Sequence, residues 1–464
     1  MTTAALSLAR GQSQVGLVAI AGVLAGLAYT LSPLTVLSLV VIAGAAIAAG
    51  RGLSAAERRW FWSVVPIAIA LRLAMVALLF LTADPAHPFA SFFGDEELYK
   101  FRSIWLRNIG QHIPISPADV IYSSDPVGRT GHMYVLALVQ ALVGDAPYGL
   151  HLLTMTLYLC GVLALYRFVR TSYGSVVAMA GLVGLLFLPS LLLWSISILK
   201  EPMNVFMLSA ELICAVWIVR APRLWQKALA AAGVVAFALA MESLREGGVI
   251  TAAVGTIGGL TLAYLVSRGR RLVAALVVAP VAIAILASTS AVQERVLATV
   301  RRGAFYHAGH VLTPGFSYQL VQPRYYIRRD LILSMPPVDA AQYAVKAIWS
   351  YFAEPLPWRT ESRAVLAYLP EQFLWYLMAL LMPIGIVAGL RRDVLVTSVI
   401  VAHAAAAILL VALTSGNIGT LIRHRSLALP YLIWLSALGA QECARLLGDR
   451  HSSSVERSHV DGTG

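Results

Sequence analysis

The residues best suited to chemistry sit together at 91–102, SFFGDEELYKFR, where Asp95, Glu96 and Glu97 follow Gly94 and precede Tyr99, Lys100 and Arg102. Gly94 permits a tight turn, and a carboxylate held there could take the proton of a hydroxyl as its oxygen attacks an electrophilic carbon. Apolar walls would raise the pKa of that carboxylate, and the following cations would lower it. A second reading stands beside this one: three acids in a row also suit the first turn of a helix, where they complement the dipole. Residue types alone leave both open.

A second polar cluster is LPSLLLWSISILKEP, 188–202. Pro189 ends one helix and Pro202 suits the first turn of the next, which puts Lys200 and Glu201 at a helix N-terminus. Free amides, the dipole and a lysine there favour an anion; an interfacial lysine beside a capping glutamate is the plainer alternative. Arginines supply further candidates: Arg245 in the turn 242–247, Arg423 and Arg425 around His424 in the turn 414–425, and Arg324 in the long polar segment 289–368. Arginines of a long loop can be no more than its solvated face. Those in short turns facing away from the cytoplasm go against the positive-inside bias, and suggest an anionic partner such as a phosphate.

The elements that must position these groups are membrane helices. Hydrophobic residues make up 59% of the chain and charged ones 12%, about half the usual charged share, and the mean hydropathy is +0.76. That leaves too little polar surface for a water-soluble fold and predicts an all-α polytopic membrane protein. The net charge of +12 comes mostly from arginines between apolar runs, a topogenic pattern that argues against a nucleic-acid partner. Cys160, Cys214 and Cys443 lie in apolar runs without metal-ligand spacing and read as packing residues. The first apolar run lacks a small-residue cleavage site and reads as a retained helix.

Two short spans fit 15–50, followed by spans near 60–82, 148–169, 174–192, 202–219, 227–242, 248–266, 271–288, 369–390, 394–413 and 427–446. The run 132–145 is too short to cross and is placed flat in the outer interface. The reading is about twelve spans with both termini cytoplasmic and Arg-rich turns inside. The organisation is then an N-terminal hairpin with its cytoplasmic loop (1–59), a transmembrane core (60–288) with a first outer loop at 83–131, a long outer loop (289–368), C-terminal spans (369–448) and a disordered cytoplasmic tail (449–464).

Among the remaining polar residues, Arg72 and Glu211 fall at mid-span, where a lone charge is costly, and are expected to pair with each other. His307 and His310 are expected to be ordinary loop residues without a third metal ligand, and His403 a satisfied packing histidine.

The acidic pair with its following aromatic resembles the motif of the first outer loop in the GT-C superfamily of membrane glycosyltransferases, which includes protein O-mannosyltransferases and the aminoarabinose transferase of lipid A. SSDPVGRTGHMYVLALVQALVG, 123–144, is similar to the stretch leading into their interfacial helix, and WSISILKEP, 194–202, to a turn of bacterial members. The likeness covers about residues 60–220. It implies Asp95 as catalytic base, with Glu96 shaping the acceptor or a divalent metal; Lys200 and the outer arginines would hold the phosphate of a polyprenyl-phosphate-linked sugar. The acceptor would be a lipid- or polymer-linked glycan, and the site would face outward from the bacterial cytoplasmic membrane, among membrane lipids. An O-antigen-type polymerase or ligase also fits the span number and the arginine-bearing loops, without needing the acidic cluster. A transporter or flippase should show internal repeats and polar groups along several spans; no convincing repeat is visible.

Overall fold

A computed structural model describes residues 32–82, 94–125, 129–145, 147–267, 289–313, 315–359 and 363–460, with side chains as far as Gly448, and the isolated positions Gly22 and Leu24. The protein is an all-α membrane protein. Among the described residues the only β pairing is a single bridge between Ser317 and Asn417. The chain divides into two units. Unit 1 is Met1–Cys160 with Ser195–Met203, and unit 2 is Gly161–Trp194 with Asn204–Gly464.

Seven helices among the described residues are long and apolar enough to cross a bilayer, or eight if one bent pair counts as a span. A helix satisfies its own backbone hydrogen bonds, which is what lets it cross lipid. The seven match the expected spans at 60–82, 148–169, 202–219, 227–242, 248–266, 369–390 and 394–413. The bent pair, Ser175–Phe187 and Pro189–Ile196, replaces the straight span expected at 174–192 and turns by 60°. Pro189, with no N–H to give and a ring that crowds the preceding turn, accounts for the break. Most of the first expected span and the span at 271–288 lie outside the described residues. Most of the segment 427–446 falls within a helix that is not among the seven, Leu429–Val460, whose backbone also runs through most of the tail expected to be disordered.

Unit 1 contains α1 (Pro33–Ala49), α2 (Ala55–Leu81), α3 (Gly94–Gly110), α4 (Pro117–Tyr122), α5 (Gly131–Val143) and the first half of α6 (Pro147–Tyr173). Local chemistry starts the helices: the Leu34 amide donates to Ser32 Oγ ahead of α1, and Ser54 and Glu57 form a reciprocal capping box on α2. Gln140 Nε2 of α5 donates to Ser103 Oγ of α3 at 2.7 Å, and Arg107 of α3 pairs with Asp145 just past α5. Arg72 on α2 donates from Nε to Ser195 Oγ at 2.8 Å and lies over the Tyr158 ring.

Unit 2 takes the rest of α6, then α7 (Ser175–Phe187), most of α8 (Pro189–Ile196), most of α9 (Lys200–Arg220), α10 (Leu224–Leu244) and α11 (Gly248–Val266). The segment expected as a long loop is itself folded into α12 (Ser290–Val311), α13 (Pro323–Ile327) and α14 (Pro337–Ala353), packed around Ala304, Ala308, Ile332, Met335, Tyr343 and Ala347. α15 (Arg363–Arg392), α16 (Val394–Thr414), α17 (Ile418–Arg425) and α18 (Leu429–Val460) complete it. α15 and α18 touch backbone to backbone: a Cβ on Gly385 would lie 1.7 Å from the Leu435 carbonyl oxygen, and one on Gly439 2.1 Å from that of Leu381. Small residues at such crossings are how membrane helices gain close packing without a hydrophobic driving force.

Glu211 meets two partners within unit 2. Its carboxylate lies 2.6 Å from His403 Nε2 and accepts from Thr256 Oγ1 at 2.5 Å. His403 Nδ1 faces the Val399 carbonyl, which can only accept, so that nitrogen carries a proton. Thr256 sits in a π-helical turn of α11, Val254–Gly258, where a Cβ on Gly255 would strike the His403 ring at 2.2 Å. His403 is thus a packing histidine with an acidic partner.

Candidate functional site

The polar centre of unit 1 is a break in the helical path at Ser197, Ile198 and Leu199, between the end of α8 and Lys200 at the start of α9. A break leaves carbonyls and amides without intrahelical partners, and inside an apolar protein each must be met by something. Three side chains do this. His151 Nδ1 lies 2.7 Å from the Ile196 carbonyl, His132 Nε2 lies 3.0 Å from that of Ile198, and the Ile198 amide donates to Glu96 Oε2 at 3.0 Å. Because both carbonyls are acceptors only, each histidine carries its proton on the nitrogen named. Glu96 Oε2 is also 3.8 Å from His151 Nδ1, with both side chains at 0% exposure.

The acidic stretch is therefore divided. Asp95, Glu96 and Glu97 do form the first turn of α3, as the helix-start reading has it. Within that turn Glu96 is buried and bonded to the break, whereas Asp95 and Glu97 are exposed. Lys100, one turn on, is 1% exposed; burial pulls its ammonium down to about 8, opposed by the nearby charges of Glu96 and Glu97.

Lys200 leaves the break beside the same helix. Its Nζ lies 5.2 Å from the centre of the Tyr99 ring, donates to the Arg129 carbonyl at 3.0 Å and is 4.0 Å from Asp125 Oδ2. Asp125 is shared with Arg102, 3.3 Å away. Tyr99 also meets the His132 ring edge to face at 5.6 Å. Asp95 and Tyr99 are spaced i,i+4 on α3 and so share a face. The unit thus brings Asp95, Tyr99 and Lys200 into one neighbourhood, with Glu201 buried at the same helix start. Two cations, Arg102 and Lys200, thus flank the Asp125 carboxylate.

Neither a protein-family model, nor a curated protein, nor a solved structure matches this chain. The site is read from its own chemistry. Among the described residues, no three His, Cys, Asp or Glu side chains are grouped so as to hold a metal ion.

Unit 2 holds the other sequence candidates and sorts them. Arg425 is fully buried: it donates to Gln372 Oε1 at 2.8 Å and to the Tyr351 and Glu354 carbonyls, with its guanidinium 4.4 Å from the centre of the Trp375 ring. Those donors are spent on the protein, which makes Arg425 a brace for the end of α14. Arg324 is exposed and pairs with Asp339 at 2.8 Å. Arg245 caps the C-terminus of α10, and Arg423 lies on the last turn of α17. Both act electrostatically on His310 and His424, whose rings are 6.2 Å apart. Burial lowers the pKa of each histidine first, and the positive charges of Arg245 and Arg423 lower it further.

His307 and His310 are more than ordinary loop residues. Their Nδ1 atoms each lie 2.6 Å from a carbonyl of the 414–415 turn, those of Ser415 and Thr414. His307 Nε2 also meets the Tyr326 hydroxyl at 3.0 Å, and burial takes its pKa down to about 4. His132, His151, Asp125 and Arg129 were not singled out from the sequence. The signal open to a reader was the SSDPVGRTGH stretch, which carries three of the four.

Proposed function

We propose that the chain is an integral-membrane glycosyltransferase of GT-C type. It would move a sugar from a polyprenyl-phosphate donor to a lipid- or polymer-linked acceptor at the outer face of a bacterial cytoplasmic membrane. The observation that carries this reading is the neighbourhood of an exposed carboxylate, Asp95, a tyrosine on the same helix face and the Lys200 ammonium over that ring. Asp95 takes the proton of the acceptor hydroxyl as its oxygen bonds to the anomeric carbon, and the bond from that carbon to the lipid phosphate breaks with its electron pair going to the phosphate. Lys200 and Arg102 offset the charge that develops on the leaving group. Tyr99, buried between Lys200 and His132, holds the ammonium in place. Glu96 holds the helix break that aims Lys200, a positioning role. A topology of about twelve spans with both termini cytoplasmic belongs to the same proposal.

Transfer from a polyprenyl-phosphate sugar by the purified protein, with Asp95→Asn and Lys200→Gln beside it, tests the reading. Asp95→Asn should abolish transfer with folding retained; unchanged transfer removes the mechanism. A polymerase or ligase reading is favoured by one separate feature, the gathering of Arg245, Arg423, His310 and His424 in unit 2, and predicts that Asp95→Asn transfers normally.

A further inference from the structure

The segment expected as a long outer loop carries an exposed apolar surface on α14 (Pro337–Ala353). At about 100° per residue, three sectors divide this helix. Ala340, Tyr343, Ala347 and Ser350 are buried against the rest of unit 2. Asp339, Gln342 and Lys346 form a polar strip, in which Asp339 accepts from Arg324 at 2.8 Å. The third sector, Val338, Ala341, Val345, Ile348 and Trp349, is apolar and about 100° wide. Val338, Val345 and Trp349 are 66%, 70% and 73% exposed, so this sector is not the solvated face of a loop in water.

The depth of α14 follows from two of the spans it touches. Arg391, Arg392 and Asp393 make the turn between α15 and α16. Charges gathered so closely stay out of hydrocarbon, so that turn marks one face of the membrane. Trp375 of α15, whose Nε1 donates to the Phe352 carbonyl at 3.1 Å, stands about 24 Å along its helix from Arg391. Leu413 of α16, whose carbonyl accepts from the Tyr343 hydroxyl, stands about 30 Å from Asp393. The hydrocarbon core is about 30 Å thick. Both contacts thus place α14 at or just inside the far boundary. Their depths differ by about 6 Å over about 14 Å of α14, so the helix runs nearer the membrane plane than its normal.

The end of α14 is built for a place without water. A helix leaves its last four carbonyls without intrahelical partners. Here the Ser350 carbonyl accepts from the Glu354 amide at 2.9 Å, that of Tyr351 from Arg425, that of Phe352 from Trp375 and that of Ala353 from the Tyr376 hydroxyl at 2.6 Å. A helix end bathed in water needs none of these donors, and one set in lipid needs them all. Phe373 and Leu377, on the same stretch of α15 as Trp375 and Tyr376, are exposed as well. The apolar sector of α14 and the lipid-facing side of that span therefore meet at one depth.

We infer that α14 is an in-plane membrane helix, with Val338, Val345 and Trp349 among the acyl chains of the leaflet opposite the Arg391–Asp393 turn and Gln342 and Lys346 facing the head groups. The partner is the bilayer itself, and the placement stands on unit 2 alone, whichever reaction unit 1 performs.

Tryptophan fluorescence of the full chain in phosphatidylcholine vesicles tests it. The contribution of Trp349 is taken as wild type minus Trp349→Phe. It should lose most of its emission to phosphatidylcholine brominated in the upper part of its chains, lose less to lipid brominated near the chain ends, and be unmoved by aqueous iodide. Two relocated tryptophans, each combined with Trp349→Phe, add arms that do not rest on one position. Val345→Trp should be quenched as Trp349 is, and Gln342→Trp should respond to iodide. All three positions are exposed, so none of the changes disturbs the core. Quenching of Trp349 by iodide and not by brominated lipid puts the sector in water and overturns the inference. Shielding from both overturns it too, and marks a second copy or another protein on the sector. Equal quenching of Gln342→Trp and Val345→Trp by brominated lipid removes the sidedness and sinks it as well.

Discussion

The carboxylate of Glu96 accepts the amide hydrogen of Ile198 at 3.0 Å across a sequence separation of 102 residues. That bond ties the start of α3 to the helix break from which Lys200 emerges. It also separates Glu96 from its neighbour Asp95, which is exposed. Removing the two carboxylates should therefore have different consequences. Glu96→Ala strands a buried amide and should cost about 1–3 kcal/mol of stability, read as a lowered Tm in detergent. Asp95→Asn should leave Tm within error and abolish sugar transfer. Identical stability loss in both variants would contradict the division of roles.

Lys100 makes unit 1 sensitive to alkaline pH. Its folded pKa is about 8 against 10.5 for an exposed lysine. Between those values the unfolded chain binds more protons than the folded one, so stability rises with pH across that window. The full rise is worth about 3 kcal/mol. Thermal unfolding from pH 7.5 to 10.5 should show the gain in wild type relative to Lys100→Met, and parallel curves for the two proteins would count against it.

His307 acts in the same direction on the acid side. Its folded pKa of about 4 lies below the ordinary 6.5, so the unfolded chain again binds more protons between the two. Stability is full above pH 6.5 and is lost as pH falls toward 4, by about 3 kcal/mol. His307→Gln, which keeps a donor and an acceptor, should flatten that acid limb. A limb of unchanged slope in the variant would assign the loss to other groups.

The α15–α18 contact should tolerate no side chain. A methyl group on Gly385 meets a carbonyl oxygen at 1.7 Å, well inside any van der Waals contact. Gly385→Ala and Gly439→Ala are each expected to lower stability by about 1–3 kcal/mol or more, measured by Tm and by monodispersity in detergent. Wild-type behaviour from both would mean that the helices do not cross there.

Arg425 should behave as a structural arginine. Arg425→Gln leaves the Tyr351 and Glu354 carbonyls and Gln372 without their donor and should destabilise by about 2–4 kcal/mol. The check is Tm in detergent; a variant as stable as the wild type would mean that Arg425 does not brace the end of α14.

Hydropathy along the chain was enough to find all seven described spans, because a segment enters lipid on its own apolar content and the backbone must be satisfied within it. The same local chemistry marked Pro189 as a helix end and Lys200 as a helix start. Partnership and facing were not legible in it. Adjacent helical residues point about 100° apart, so Asp95 and Glu96 are alike in composition and opposite in exposure, and only packing chose which carboxylate reached the break. Within their own units Arg72 meets Ser195, and Glu211 meets His403 and Thr256. Nothing in a linear string places position 403 beside 211. The sequence by itself determined a bundle of membrane helices with polar groups at particular helix ends, since both follow from local free energies. Which of those groups are spent on the fold, and on which partners, was decided only by tertiary contacts between residues far apart in the chain.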